Sequence, residues 1–331
     1  MKQYQITQNE ANQRLDKYLA KLLKEAPKSF LYKMLRKKNI TLNGKKAAGG
    51  ELLKPGDEIK LFLSEETFAK FQGSSRASYA VVPLDILYED SHILLINKPV
   101  GMLSQPADNS TPSLVEYLTG YLLESGKITE AELATFHPSV CNRLDRNTSG
   151  IIAAGKSLAG LQELSALFHD RTIHKDYLCL VHGEVKEEKK IKGYLQKDTK
   201  CNKVRVMSEF QEGASPIETR YTPLRTNGTI TLLQVRLITG RAHQIRAHLA
   251  SIGYPILGDG KYGSEQVNGR YRETFHLKHQ LLHAWCLEFP KLEGALSGLS
   301  EQVFLEEPTE TFLKIAAAED LWPYYRTRRE L

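Results

Sequence analysis

What this sequence holds little of narrows the possibilities first. Its 331 residues include four cysteines, Cys141, Cys179, Cys201 and Cys286, spaced so that none forms a C-x-x-C pair. That spacing argues against a disulfide framework or a thiolate zinc site. It favours free thiols packed as small hydrophobes. No apolar run approaches the ~18 residues of a membrane span. The opening stretch MKQYQITQNEANQRLDKYL has no apolar core of the signal-peptide kind, so a cytoplasmic protein is expected. The two phosphate-cradle strings occur, G-x-G-x-x-G as GDGKYG at 258–263 and G-x-x-x-x-G-K-[ST] as GIIAAGKS at 150–157. GIIAAG reads as a strand rather than a glycine-rich loop, and GDGKYG follows a helix rather than a strand, so neither has the context of a cradle, and no metal-ligand cluster is seen. No metal and no cofactor are therefore expected. An enzyme built from these parts works with side chains alone, on a substrate that carries phosphate.

What is present is unevenly spread. The net charge is +6. Residues 1–60 contain 14 Lys/Arg against 6 Asp/Glu, a surplus of 8, while the remainder is net −2. Counterion release from phosphates rewards such a concentration of cations, although a solvated basic face that only aids solubility has the same composition.

The basic region reads as a small unit. RLDKYLAKLL carries Leu15, Tyr18, Leu19, Leu22 and Leu23 at helical spacing, and Pro27 is expected to end that helix. SFLYKMLRKKN predicts a second helix capped at Ser29, with Phe30, Leu31, Met34 and Leu35 on its apolar side. ITLNGKKA places Asn43-Gly44 after alternating residues, a strong hairpin signal. LKPGDEIKLFL adds a turn at Pro55-Gly56 and another strand. Two helices and a hairpin would array Lys33, Arg36, Lys37, Lys38, Lys45 and Lys46 along one edge. Arg14-Leu15-Asp16, the basic second helix, and ITLNGKKA followed by LKPGDEI resemble the small RNA-binding domain named after ribosomal protein S-four. The resemblance implies that these six cations grip structured RNA. The expected division is an RNA-binding unit over 1–63, a linker over 64–80 inferred from its Ser, Gly, Ala and charged composition, and a larger domain over 81–331.

In that larger domain, LDILYEDSHILLINKP predicts two strands about a polar turn. TPSLVEYLTGYLLES predicts a helix with Thr111 as cap and Pro112 at its first position. GIIAAG, KDYLCLVHGEV, IETRYTPL and TITLLQVRLITG read as strands, and SLAGLQELSALFHD and RAHQIRAHLASIG as helices. Strands and helices do not alternate strictly, so the expected class is α+β with a mixed, mainly antiparallel sheet.

Three places could carry chemistry. VCNRLDRNTSGIIAAGKS, residues 140–157, holds one acidic residue, Asp145, between Arg143 and Arg146. Their positive field would favour the ionised carboxylate, which can act as nucleophile or base. Taken alone, an Asp shortly before Asn-Thr-Ser-Gly is more often a turn former bonding its own backbone. Lys175 and Tyr177, two apart on a predicted strand, share a face. A Tyr beside a Lys can stack on a base or move a proton, or it can be a core residue with a wet hydroxyl. In TGRAHQIRAHLASIGYP, Ala242, Ile245, Leu249 and Ile252 form an apolar stripe, and Arg246 suits bidentate pairing with a carboxylate or phosphate. His243 and His248, five apart, do not make a zinc pair.

Together these stretches resemble the pseudouridine synthases of the RluA type. LYEDSHILLINKPVGMLSQP, NRLDRNTSGIIAAGKS, RTIHKDYLCLVHGEV, TGRAHQIRAHLASIGYPILGDGKYG and HQLLHAWCLEFP carry the resemblance, in the family's order, over residues 87–290. The resemblance implies the pseudouridine synthase fold and an isomerisation of uridine within RNA. It further implies that Asp145 is the catalytic aspartate, that Tyr177 packs against the uracil and that Arg246 pairs with Asp145. Arg143 then helps fill the space left by a flipped nucleotide. One departure is Asn142, where the family usually has His. Ribosomal RNA of the large subunit is the expected partner, ahead of transfer RNA, and a monomer is expected. The rival readings are an RNA-binding or ribosome-assembly protein with an inactive catalytic domain, and a nucleosidase, which usually needs a second carboxylate.

Overall fold

The computed structural model describes residues 1–7, 9–72, 81–107, 111–198 and 203–322. The N-terminal unit consists of β1 (Lys2–Gln5), α1 (Leu15–Leu22), α2 (Lys28–Arg36), β2 (Ile40–Leu42), β3 (Lys45–Lys46), β4 (Glu58–Leu61) and α3 (Glu65–Gln72). The four strands form an antiparallel sheet in the order β1-β4-β2-β3. Leu15, Tyr18, Leu19, Leu22, Leu31, Met34 and Leu35 pack as the periodicity requires. Each fully buried Leu contributes about 2 kcal/mol. The β2–β3 turn has positive φ at both Asn43 (52°) and Gly44 (71°), which the Asn-Gly pair supplies with little strain.

Two boundaries differ from expectation. Pro27, not Ser29, precedes the first residue of α2, because Pro's fixed φ suits a helix start and its missing N–H is no loss there. In the stretch read as a linker, 65–72 is the helix α3. Phe68 is buried in the unit's core and the Phe71 ring lies 4.4 Å from that of Phe30. Composition hid this helix because only two of its residues face the core. Residues 73–80 lie outside the described residues.

The second unit runs β5 (Asp85–Glu89), β6 (Ile93–Lys98), α4 (Leu114–Glu124), α5 (Glu130–Leu133), β7 (Ser139–Val140), β8 (Ser149–Gly155), α6 (Leu158–Asp170), β9 (His174–His182), β10 (Lys189–Asp198), β11 (Lys203–Met207), β12 (Ser215–Thr226), β13 (Ile230–Leu237), α7 (Gln244–Ser251), α8 (Glu265–Phe275), β14 (Leu282–Glu288), β15 (Val303–Leu305) and α9 (Glu310–Ala318). Its sheet has the order β11-β10-β12-β13-β9-β14-β8-β6-β5, with β15 on β14 and β7 on β8. The β14–β8 pair is parallel and the other described pairs are antiparallel. This is the expected mixed, mainly antiparallel α+β sheet. Ser113, rather than Thr111, caps α4, and Glu116 accepts from its backbone N–H. Among the described residues no helix is long and apolar enough to cross a membrane.

β6 shows why the sheet is buried on both sides. Ile93 and Leu95 face one core with α6, while Leu94 and Ile96 face another with α4 and α7. Such a run lacks polar alternation because neither face meets water. Gly150 marks the closest approach in the centre of the sheet. Its φ is +107°, and a Cβ there would stand 2.3 Å from the Ala284 carbonyl oxygen. The units touch where Thr135 Oγ1 donates to the Glu10 carboxylate over 2.7 Å.

Candidate active site

Three elements converge beside β9, the middle strand of this sheet. Asp145 lies in the loop between β7 and β8, Tyr177 on β9, and Arg246 in the first turn of α7. The loop is pinned from both sides. Ser104 Oγ donates to the Leu144 carbonyl (2.7 Å) and accepts from the Leu144 N–H (3.0 Å). The Thr148 N–H donates to the Asp145 carbonyl at 3.0 Å, closing a turn over Asp-Arg-Asn-Thr. Lys98, fully buried, donates to the carbonyls of Pro99, Met102 and Arg146 at 2.8, 2.9 and 3.1 Å. Burial pulls its pKa down to about 7 while Asp145 pulls it up. Three carbonyl acceptors require all three N–H bonds of the ammonium.

The carboxylate is oriented from the other side. Arg246, 6% exposed, donates through Nε (2.7 Å) and Nη2 (2.9 Å) to the two oxygens of Asp259. That fork spends the flat side of the guanidinium on a carboxylate that is itself 0% exposed. Nη1 remains, and it donates to Asp145 Oδ2 at 2.7 Å. Arg246 stays charged: its two carboxylate partners outweigh burial and raise its pKa further. Burial alone would raise Asp259, but Arg246 and the N–H groups of Lys261 and Tyr262 hold it below the usual carboxylate range. The Asp145 side chain keeps 22% of its surface open, so it is oriented yet reachable. His243 Nε2 lies 4.0 Å from the same Oδ2, and its Nδ1 meets the Tyr262 hydroxyl at 2.9 Å. Burial lowers the His243 pKa against the pull of Asp145, so the ring is neutral at pH 7.

Asp145 and Tyr177 line a cavity of about 790 Å³ shared with Ser104, Asn142, Arg143, Phe168, Arg171, Lys175 and Arg241. Burial, then the charges of Asp145 and Asp176, push the Tyr177 phenol well above its usual range. It therefore remains a protonated ring, suited to packing rather than to taking protons. The opposite strand β14 shifts register between Ala284 and Cys286, beside Tyr177 and Asp176. Bulges commonly re-aim side chains near active sites.

A family model described as RNA pseudouridylate synthase matches residues 92–251, and one described as S4 domain matches residues 13–59. Ribosomal large subunit pseudouridine synthase C of Salmonella typhimurium is 31% identical over 313 residues, 93% of this chain and 93% of that protein. The protein of the same name from Escherichia coli K12 has the same identity and coverage. The chain belongs to the RNA pseudouridine synthases of the RluA type. A solved human structure, RNA pseudouridylate synthase domain containing 4, covers 71% of this chain and 92% of its own at 20% identity with a TM-score of 0.56, a likeness of fold. A pseudouridine synthase is an isomerase acting on uridine in RNA.

Against that family pattern, the structure brings together Asp145, Tyr177 and Arg246, and leaves Arg143 exposed on the cavity rim. The cation that holds Asp145 is Arg246, 101 residues away, not the flanking arginines. Arg146 Nε instead donates to the Gly101 carbonyl at 2.9 Å. Asn142 faces β8: its Oδ1 accepts from the Ala153 N–H (2.8 Å) and its Nδ2 donates to the Ile151 carbonyl (3.3 Å). At this position it anchors the loop. Helix α7 is not a solvated basic face. Gln244, Arg246 and His248 are buried with partners, and Ile252, counted in the apolar stripe, is exposed. Asp259, Tyr262, Lys98 and Ser104 were not singled out from sequence. The motif stretches GYPILGDGKYG, NKPVG and MLSQP contain all four, but each also has a partner outside its own stretch: Arg246 for Asp259, His243 for Tyr262, the Arg146 carbonyl for Lys98 and Leu144 for Ser104. Lys33, Arg36, Lys37, Lys38, Lys45 and Lys46 are all exposed, at the end of α2 and on the β2–β3 hairpin.

Proposed function

We propose that this pseudouridine synthase converts uridine to pseudouridine in large-subunit ribosomal RNA, with Asp145, Tyr177 and Arg246 as its catalytic residues. The observation that carries the reading is the Asp259–Arg246–Asp145 chain at the wall of a cavity ringed by cations. The names of the relatives, ribosomal large subunit pseudouridine synthases, support the choice of RNA. In the reaction the bond between N1 and the anomeric carbon breaks, the uracil turns, and C5 bonds to the sugar. The C5 proton leaves and N1 gains one, so atoms and electrons balance without a co-reactant. A stacked base is out of reach, so the nucleotide is flipped into the cavity. Asp145 then acts on the sugar, as nucleophile or as base for a sugar proton. Either role needs an ionised carboxylate fixed in direction, which Arg246 provides. Tyr177 packs on the uracil, and Arg143 at the rim fills the stack left by the nucleotide. Lys33, Arg36, Lys37, Lys38, Lys45 and Lys46 bind RNA backbone, in a unit that extends through α3. The enzyme works as a monomer in the cytoplasm, beside its ribosomal RNA.

The test is a pseudouridine map. RNA from cells with and without the gene is treated with carbodiimide and scanned by reverse transcription. One or more large-subunit sites should vanish on deletion, return with the wild-type chain and stay absent with Asp145→Asn. Sites lost only from transfer RNA would reassign the substrate. No lost site, with purified protein inert on both RNAs, would favour a binding-only protein.

A further inference from the structure

The cavity is lined by cations that the chemistry at Asp145 leaves unused. Lys175 precedes Tyr177 by two residues on β9, and both side chains line the cavity. Two steps along a strand put them roughly 7 Å apart. The Lys175 ammonium lies 5.2 Å from the centroid of the Phe168 ring, an arrangement that holds a cation in place without neutralising it. Gly240 lies beside it: a Cβ there would stand 3.8 Å from Nζ, an ordinary van der Waals contact. Among the described residues, Lys175 has no ion pair and no hydrogen bond through its ammonium. The charge that acts on it is another cation, Arg171, which, with burial, lowers its pKa. Arg171 is the αL cap of α6 and lines the same cavity, as do Arg143 and Arg241. Asp145, the cavity's carboxylate, is already held by Arg246.

A half-buried ammonium without an anion is unfavourable in the free protein. A chain that keeps one at a ligand cavity is set up for an anion that arrives with the ligand. We propose that Lys175 binds a backbone phosphate of the RNA strand next to the reacting uridine, with Arg171 as the second cation of that subsite. The proposal rests on the synthase reading and adds to it a positioning residue. With the uracil on Tyr177, Lys175 is the next residue along the same face of β9. A volume of about 790 Å³ also leaves room beyond the base itself. An ammonium meets a phosphate as a point charge, so Lys175 acts on affinity and alignment.

The test compares full-length wild type, Lys175→Met and Lys175→Arg. The substrate is large-subunit ribosomal RNA transcribed with tritium at uridine C5, and tritium release is followed from 50 to 300 mM KCl. Lys175→Met should raise KM about 10-fold at 0.1 M KCl and lower kcat less than about 3-fold. Its slope of log KM against log salt should fall by roughly 0.7–0.9, the share of one phosphate. Lys175→Arg should restore both. The melting temperature of Lys175→Met should equal or exceed that of wild type, since an uncompensated charge is removed. An unchanged KM and slope would overturn the proposal. So would a lower melting temperature with a collapsed kcat that Arg does not rescue, which marks a structural lysine. Lys175-dependent stabilisation by inorganic phosphate with an unchanged RNA slope would assign the site to free anions and also overturn it. If wild type releases no tritium, the synthase reading fails instead, and the salt slope of filter binding to the same RNA still decides Lys175.

Discussion

The six cations of α2 and the β2–β3 hairpin stand in solvent, whereas Arg246 is 6% exposed and shared between two carboxylates. The same type of charge does different work in the two units. An exposed cation keeps its side-chain freedom and is screened over about 8–10 Å at physiological salt, so it attracts a polyanion from many directions. A buried, bidentate guanidinium has little freedom and little screening, so it fixes one oxygen of Asp145 in one direction. Under the proposed function, the N-terminal unit serves affinity and the catalytic unit geometry. Lys175 falls between them, half-buried like the second kind and unpaired like the first.

This contrast can be broken in order of effect. The largest is expected from Asp145→Asn, which should reduce tritium release by about 10⁴-fold or more while RNA binding in a filter assay is retained. Residual turnover near wild type would remove Asp145 from the chemistry. Next, Arg246→Met leaves Asp145 and Asp259 without their cation and should cost about 3–5 kcal/mol in urea unfolding. Arg246→Lys should recover part of that stability but not turnover, because an ammonium cannot span both carboxylates. Equal stability of Arg246→Met and wild type would show that the buried charge is compensated elsewhere. Changing Lys33, Arg36, Lys37, Lys38, Lys45 and Lys46 together to Gln should act the other way. KM should rise 10-fold or more and the salt slope fall by about 0.7 for each phosphate no longer neutralised, with the melting temperature within about 2 °C of wild type. A large loss of stability would mean that these cations are not free.

The smallest effect is in pH. Burial lowers His248 and His283 to about 4, so the folded chain keeps them neutral. The unfolded chain protonates them near 6.5 and binds more protons below that value. The catalytic unit should therefore lose stability as pH falls from about 6.5 to 4. The N-terminal unit through Gln72 contains no histidine and should show no such window. Trp285 and Trp322 both lie in the catalytic unit, so tryptophan fluorescence during urea unfolding reports it selectively. A flat urea midpoint over that pH range would contradict the burial of the two rings.

Local signals in the sequence were reliable where neighbours in the chain are neighbours in space. Asn43-Gly44 turned as its composition demands, α1 buried its helical stripe, and the turn following Asp145 closes on its own backbone. The same locality misled at Asp145, where the adjacent arginines looked like its counter-charge. Helix α7 looked amphipathic, yet its polar residues are buried against Thr219 and Asp259. A hydropathy pattern cannot register a polar residue whose hydrogen bonds are satisfied inside the fold. α3 escaped notice because a short helix packing two rings leaves a mostly polar sequence.

By itself, then, the sequence determined the element types, the basic character of the first unit and the segments that carry the family resemblance. These depend on spacing within about ten residues and on charge that can be counted. The tertiary structure alone decided that Asp259 aims the guanidinium that holds Asp145, that Lys98 ties the two loops together, and that Lys175 has no anion of its own. Those outcomes join residues far apart in the chain, and their strength depends on burial and direction, which exist only once the sheet has brought β9, α7 and the Asp145 loop together.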